Sequence, residues 1–201
     1  MPRQFNAVIP FGLHAPNEGR KYLNRAERER FFKAISVLPD QGERLLLEVL
    51  FWTGCRISEA LALDARFIDT ESRRLVIRTL KQRQDRMRAV PIPKSLAVRL
   101  AYYLKDKNFG RLWRISRTTA WRRVKLVMAA AGIKGIRACA RGLRHSYGVH
   151  AILSRVPVTS LQTWMGHTCL ETTKRYLAIG GLEEDQIAER MWDNHDLMEA
   201  A

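Results

Sequence analysis

Arg56 is the first residue whose position asks for a chemical reason. It lies between Gly54 and Ser58, just after the apolar run Leu45, Leu46, Leu47, Val49, Leu50, Phe51 and Trp52, and a charged side chain beside a buried helix needs a partner or a task. Phosphate would supply the task, because the planar guanidinium fork binds two oxygens at once and stays charged. The whole chain leans the same way. Among its 201 residues, Lys and Arg number 35 against 20 Asp and Glu, a formal charge of +15, and such an excess repels itself unless a polyanion is the partner. Nucleic acid leads, and an anionic membrane comes second. No apolar run approaches the roughly 20 residues that span a bilayer, and no signal sequence opens the chain. A soluble protein of the cytoplasm or nucleoid, in a bacterial cell, is the expectation. Cys55, Cys139 and Cys169 are odd in number, far apart and without a C-x-x-C pair, which argues against a disulfide framework and against a zinc cage.

Several routes to nucleic-acid chemistry lack their residues. Two-metal nucleases need converging carboxylates, because hard divalent cations take oxygen ligands, and the acidic residues here are scattered. The tight cluster Glu183, Glu184 and Asp185 falls where a last helix would begin and reads as a helix-dipole partner. There is no G-x-x-x-x-G-K-[ST] loop for nucleotide phosphates. His167 and Cys169 form H-x-C, but the distant C-x-x-C of a zinc deaminase is missing. The first serine is Ser36, inside an expected helix, rather than a nucleophile near the start. What is left is attack on a phosphodiester with neither metal nor cofactor. That requires cations on the non-bridging oxygens, a nucleophile, and an acid for the leaving oxygen.

The elements that must position such groups are mostly helical. Asn24 followed by Glu27 predicts a capped helix start, with Phe31, Phe32 and Ile35 on its apolar face. The apolar run at 45–52 predicts a central helix ending at Gly54, followed at once by a helix with Ile57, Ala60 and Leu61. Residues 66–92 change period: Phe67–Ile68, Leu75–Ile77 and Ala89–Ile92 are short β-type runs between polar turns. Helical patterns return with Leu96, Leu100 and Leu104, then with Trp121, Val124 and Met128 up to Gly132. Further helices are expected near 141–154, 158–165, 169–178 and 182–195. The fold class is therefore α+β, mostly helical with a small three-stranded antiparallel sheet. Residues 1–22, carrying Pro2, Pro10, Gly12, Pro16 and Gly19, read as an extended arm, and 23–201 as one catalytic unit that includes a tail helix at about 182–195.

Four short strings resemble, in order and spacing, the boxes of the tyrosine recombinase and phage integrase family. Thr53-Gly54-Cys55-Arg56-Ile57-Ser58-Glu59-Ala60-Leu61 resembles its first arginine box. Arg141-Gly142-Leu143-Arg144-His145 resembles its H-x-L-R-H box. Leu161-Gln162-Thr163-Trp164-Met165-Gly166-His167 is similar to L-x-x-x-L-G-H, and Thr172-Thr173-Lys174-Arg175-Tyr176 to T-T-x-x-Y. The resemblance runs from residue 24 to about 195 and implies the fold of that family's catalytic domain. It also implies roles. Tyr176 would attack the scissile phosphate to give a 3′-phosphotyrosyl link. Arg56 and Arg144 would clamp the phosphate, His167 would donate a hydrogen bond to the same oxygens, and Glu59 and His145 would position these groups.

Lys81 is the implied general acid, since the family places a lysine between the second and third strands; Arg83 nearby would hold its proton too firmly. The alternative is that Lys81, Arg83, Arg86 and Arg88 only hold DNA phosphates. No glycine adjoins Lys81, so its alignment is looser than that of the four boxes. A second departure is Arg141, where the family usually has His or Lys. A guanidinium can donate to phosphate but cannot act as a base, so the acceptor of the Tyr176 proton is left open between water and a DNA hydroxyl.

The resemblance further implies double-stranded DNA as partner, assembly of four copies into a synapse, exchange of the tail between neighbours, and room for accessory DNA-binding proteins. No separate core-binding domain is expected ahead of residue 23. Two other functions carry similar residues: DNA relaxation in the manner of a type IB topoisomerase, and a non-catalytic DNA-binding regulator descended from a recombinase.

Overall fold

The computed structural model describes residues 12–15, 19–79, 86–105, 110–177, 185 and 188–189. Lys81, Arg83 and the first eleven residues lie outside the described residues, as does most of the expected tail helix, of which Asp185, Ala188 and Glu189 are helical.

Helix α1 (Arg25–Ser36) begins with the reciprocal cap that its sequence calls for: the Asn24 side chain accepts from the Glu27 N–H at 2.9 Å, and Glu27 Oε2 accepts from the Asn24 N–H at 3.1 Å. Two otherwise orphaned donors are satisfied at once. Helix α2 (Gln41–Thr53) follows and buries Leu45, Leu46, Leu47, Val49, Leu50 and Phe51 nearly all round. A helix apolar on every side belongs in the middle, and α2 packs against α1, α3 (Ile57–Leu61), α4 (Lys94–Leu104) and α6 (Ala140–Leu153). It stops at Gly54, whose φ of 58° is left-handed, a conformation that costs glycine little.

After α3 and a single 3-10 turn at Ala65–Phe67, the chain forms the antiparallel sheet β3 (Ile68–Asp69), β4 (Arg74–Thr79) and β5 (Arg86–Pro91), in that order. Leu75 pairs with Val90 and Ile77 with Arg88. Alternation sends Leu75, Ile77, Arg88 and Val90 inward, since successive side chains on a strand face opposite sides. Helices α4, α5 (Arg117–Ala130), α6, α7 (Val158–Met165) and α8 (Leu170–Lys174) complete the domain.

Three sequence expectations change in detail. Trp121, expected on the apolar face of α5, is 49% exposed; Ala120, Val124, Val127 and Met128 form the buried stripe instead, at the spacing of one helical face. The helix expected over 169–178 is shorter, ending at Lys174, with Tyr176 in the turn beyond. The described part of the extended N-terminal arm is a two-stranded ribbon docked on the domain. There β1 (His14–Ala15) pairs with β2 (Gly19–Arg20), and Leu13 and Tyr22 are buried in a second apolar cluster with Tyr147, Val149, Ala151, Leu161, Met165 and Tyr176. The ribbon is fastened where the Leu23 N–H donates to Ser146 Oγ at 2.6 Å, while that hydroxyl donates to the Gly142 carbonyl at 2.6 Å. Two large apolar side chains with no other place to go explain the docking.

Candidate active site

The site gathers around a buried carboxylate. Glu59, on α3, is fully enclosed and accepts from the Arg56 backbone N–H (2.9 Å), from Arg56 Nη1 (2.8 Å) and from Arg88 Nη2 (2.7 Å). Burial alone would push its carboxyl up, but the charge and hydrogen bonds of Arg88 and the bonds from Arg56 outweigh this and hold it below the ordinary carboxylate range. Arg56, at the start of α3, is thereby fixed with its side chain 31% exposed.

Arg88 corrects an expectation. Read from the sequence as a holder of DNA phosphate, it is buried with every nitrogen engaged: Nη2 on Glu59, Nη1 on Thr79 Oγ1 at 2.9 Å, and Nε on the Trp164 carbonyl at 2.8 Å. It braces the sheet, α3 and the end of α7 together. Gly166 leaves room for it, since a Cβ there would lie 3.0 Å from Arg88 Cζ. Arg86, by contrast, is exposed at the start of β5.

Arg144 spans two helix ends. Its Nη1 donates to the Gly54 carbonyl at 2.8 Å and its Nη2 to the Met165 carbonyl at 2.7 Å, satisfying terminal acceptors that α2 and α7 leave open. A guanidinium has five N–H groups, and these two bonds use two of them. Burial, then the repulsion of Arg56, lower its pKa to about 10, and it stays charged at neutral pH.

Beyond α7, Gly166 (φ 64°) turns the chain in a left-handed conformation, and His167 comes next with Nδ1 2.9 Å from Thr173 Oγ1. Its ring lies parallel to that of Tyr176, with centroids 6.3 Å apart. Burial, then Arg144 and Arg56, push the His167 ring down to about 3; it is neutral at pH 7. The hydroxyl of Tyr176 lies 3.1 Å from His145 Nδ1. Burial raises the phenol pKa against the opposing pull of Arg144, Arg175 and Arg56. Arg141 is exposed one helical turn before His145. Thus Arg56, Glu59, Arg144, His145, His167 and Tyr176 converge, Arg141 stands at the rim, and Lys81 and Arg83 lie outside the described residues.

A model of the phage integrase family matches residues 21–180. The chain belongs to the phage integrase family. Among the relatives of this integrase-family chain, the tyrosine recombinase XerA of Thermococcus kodakarensis is 28% identical over 177 residues, covering 83% of this chain and 62% of the relative. XerD of Mycobacterium leprae is 30% identical over 155 residues, covering 68% and 48%. The relatives thus include archaeal as well as bacterial proteins. The chain spans about three-fifths of the length of the first of these relatives. The fold is that of solved tyrosine recombinase catalytic domains. The crystal structure of XerA recombinase matches with a TM-score of 0.71 at 23% identity, over 87% of this chain and 64% of that one. The catalytic domain of bacteriophage HP1 integrase matches with a TM-score of 0.62 at 21% identity, over 78% of this chain and 86% of that one. Among the described residues, no helix is long and apolar enough to cross a membrane.

Some residues that shape this site carry little sequence signal. Thr173 lies in the T-T-x-x-Y string, but its contact with His167 arises only when the turn after α7 brings the two together. Gly148 is another: a Cβ there would stand 2.5 Å from Tyr176 Cε1, so the bare backbone of α6 is the floor under the phenol ring. Gly148→Ala is expected to displace the ring and destabilise the domain by about 1–3 kcal/mol, the usual cost of overpacking. Comparing chemical denaturation of the two proteins checks this, and equal midpoints would refute it.

Proposed function

We propose that this chain cleaves and rejoins double-stranded DNA through a covalent bond between Tyr176 and a 3′-phosphate, as a site-specific recombinase. The observation that supports this most is the convergence of the Arg56 and Arg144 guanidiniums beside the Tyr176 phenol, from strings 120 residues apart in the sequence. In this reading the non-bridging oxygens are received by the free N–H groups of Arg56 and Arg144. A neutral His167 with Nδ1 engaged by Thr173 can donate from Nε2 to the same oxygens. Cations placed in a desolvated site stabilise the growing charge of the pentavalent phosphorus far more than they would in water. Arg141 adds a donor from the rim, Glu59 positions Arg56, and His145 holds the Tyr176 hydroxyl.

Tyr176 Oη attacks phosphorus, the 5′ oxygen departs, and Lys81 supplies its proton. One phosphodiester replaces another, so bond energy is conserved and no nucleotide cofactor is called for. Tyr176 is only 1% exposed, so the scissile phosphate has to enter beside Arg56 and Arg144 to meet the phenol. Exposed Arg86, with Arg83, holds flanking phosphates, and the loss of each such contact would weaken binding and flatten its salt dependence. The assembly proposed is four copies on two duplexes, with the tail at about 182–195 exchanged between neighbours and accessory DNA-binding proteins admitted. Integration, excision, inversion and resolution all follow from this chemistry.

The test is a nicked suicide substrate built from inverted repeats flanking the gene, on which the cleaved strand cannot be rejoined. The wild type is expected to form an adduct that survives denaturation, and Tyr176→Phe to form none. Specific binding without an adduct would favour the regulator. Supercoil relaxation without exchanged products would favour the topoisomerase.

A further inference from the structure

The strand-transfer reading leaves one proton without a destination. As Tyr176 Oη bonds to phosphorus its phenolic proton must leave, and Arg141, one turn from His145 on α6, carries a guanidinium that cannot accept it. Bulk water is poorly placed as well, because the phenol is enclosed.

We propose that His145 is a catalytic residue, the general base that takes the Tyr176 proton directly onto Nδ1. The proposal rests on the strand-transfer reading of the same site. A base must lie within hydrogen-bond reach of the proton it abstracts, about 2.6–3.2 Å between heavy atoms, and Nδ1 is 3.1 Å from Oη. Both partners are shielded from solvent, His145 being buried among the residues of α6. The assignment fixes the tautomer, with Nδ1 bare and the ring proton on Nε2.

The charges around His145 give it a condition for acting. It is crowded by Arg141 and Arg144 of α6, by Arg175 beyond α8, and by Lys21 after the β1–β2 ribbon; burial first, then Arg175, Arg144, Arg141 and Lys21, push the ring down to about 4. The imidazole is therefore neutral at pH 7, accepts the hydrogen bond of the phenol, and is a weak base. A scissile phosphate brings negative charge to the same arginines and cancels part of that repulsion. Base strength then rises when DNA is docked, and the phenol stays protonated until it is. In the forward step the Tyr176 O–H bond breaks as His145 Nδ1–H and the Oη–P bond form. The P–O5′ bond breaks with its electron pair, and the 5′ oxygen takes a proton from Lys81. Rejoining reverses each transfer, and His145 returns its proton to the departing phenolate.

The experiment follows single-turnover adduct formation on the suicide substrate. His145→Gln keeps a hydrogen-bonding side chain but cannot take a proton, and it is expected to slow the adduct by about 10²–10³ at neutral pH with DNA affinity unchanged. Exchanging Tyr176 for 3,5-difluorotyrosine, a more acidic phenol, should return at least tenfold of the rate in the His145→Gln protein. A 5′-bridging phosphorothiolate substrate, whose sulfur leaves without a proton, should leave the defect in place, whereas it would relieve a defect at Lys81. His145→Asn, smaller and free of clash, is the second variant if the glutamine form does not fold, with the same expectations. A variant within threefold of wild type overturns the proposal, and so does a slow variant that the acidic phenol fails to quicken, since that marks a positioning role. Wild type that binds the DNA yet forms no adduct overturns the strand-transfer reading and the proposal with it; wild-type adduct beside a fast His145→Gln overturns the proposal alone.

Discussion

Glu59→Ala is expected to lower folding stability by about 3–5 kcal/mol at neutral pH, the range for removing one partner of a buried ion pair. The carboxylate is enclosed, as is the Arg88 guanidinium that it neutralises, and without it a charge is left inside the protein with no counter-ion. The effect carries its own pH signature. Glu59 has a folded pKa held below the ordinary value by Arg88 and Arg56 despite the opposing burial. Its contribution is therefore complete above the unfolded carboxylate pKa of about 4.3, and is lost as pH falls through the folded value. Denaturant melts of wild type and variant should diverge most near pH 7 and converge on acidification. A gap independent of pH would show that the loss comes from packing alone. Replacing both partners, as in Glu59→Leu with Arg88→Met, should restore part of the stability, because no unpaired charge is left inside, while Thr79 and the Trp164 carbonyl lose the donor that Arg88 gave them. Arg56 would then lose the anchor that aims it.

Arg144→Lys should abolish most adduct formation while preserving the charge. An ammonium is a point donor and cannot reach both the Gly54 and the Met165 carbonyls that the guanidinium spans; one helix end would be left with an unsatisfied acceptor, at about 1–3 kcal/mol. Its remaining donors would also no longer match two phosphate oxygens. The adduct rate is expected to fall by about 10²–10³, the usual loss for one transition-state donor, with little change in DNA affinity because one charge among many is conserved. Single-turnover rates and binding isotherms, measured separately, test this. Equal rates would mean that Arg144 is a structural strut only.

Local chemistry carried much of the architecture into the sequence. Asn24 and Glu27 mark a helix start because their side chains answer backbone donors three residues away, and Gly54 marks an end because of its left-handed turn. Leu75 and Ile77 declare a strand by period alone. Partners distant in sequence were harder to read. Arg88 looked like one more cation in a basic stretch, although it shares strand parity with Val90 and Ile92, both buried. Period two already sets it inward, and an inward arginine demands a buried carboxylate; Glu59, 29 residues earlier, was the candidate. The hydrogen bond between His145 and Tyr176 had no such clue, since two strings 31 residues apart meet only once α6, α7 and the turn after α8 are packed. Nor did composition reveal that Leu13 and Tyr22 anchor the N-terminal ribbon, because the prolines and glycines around them speak only of the backbone.

Helix α6 supplies Arg144, His145 and the bare floor at Gly148, with Arg141 at its first turn. These four share a phase: 141 lies above 145 and 144 above 148, each pair separated by one turn. Each α-helical residue advances the phase by about 100°. A residue inserted or lost in the middle of α6 would therefore swing Gly148 away from the tyrosine while Arg144 kept facing the two carbonyls. Length changes in the connection at 154–157 leave that phase untouched. Along this one helix the geometry of the site is therefore stored as an angle.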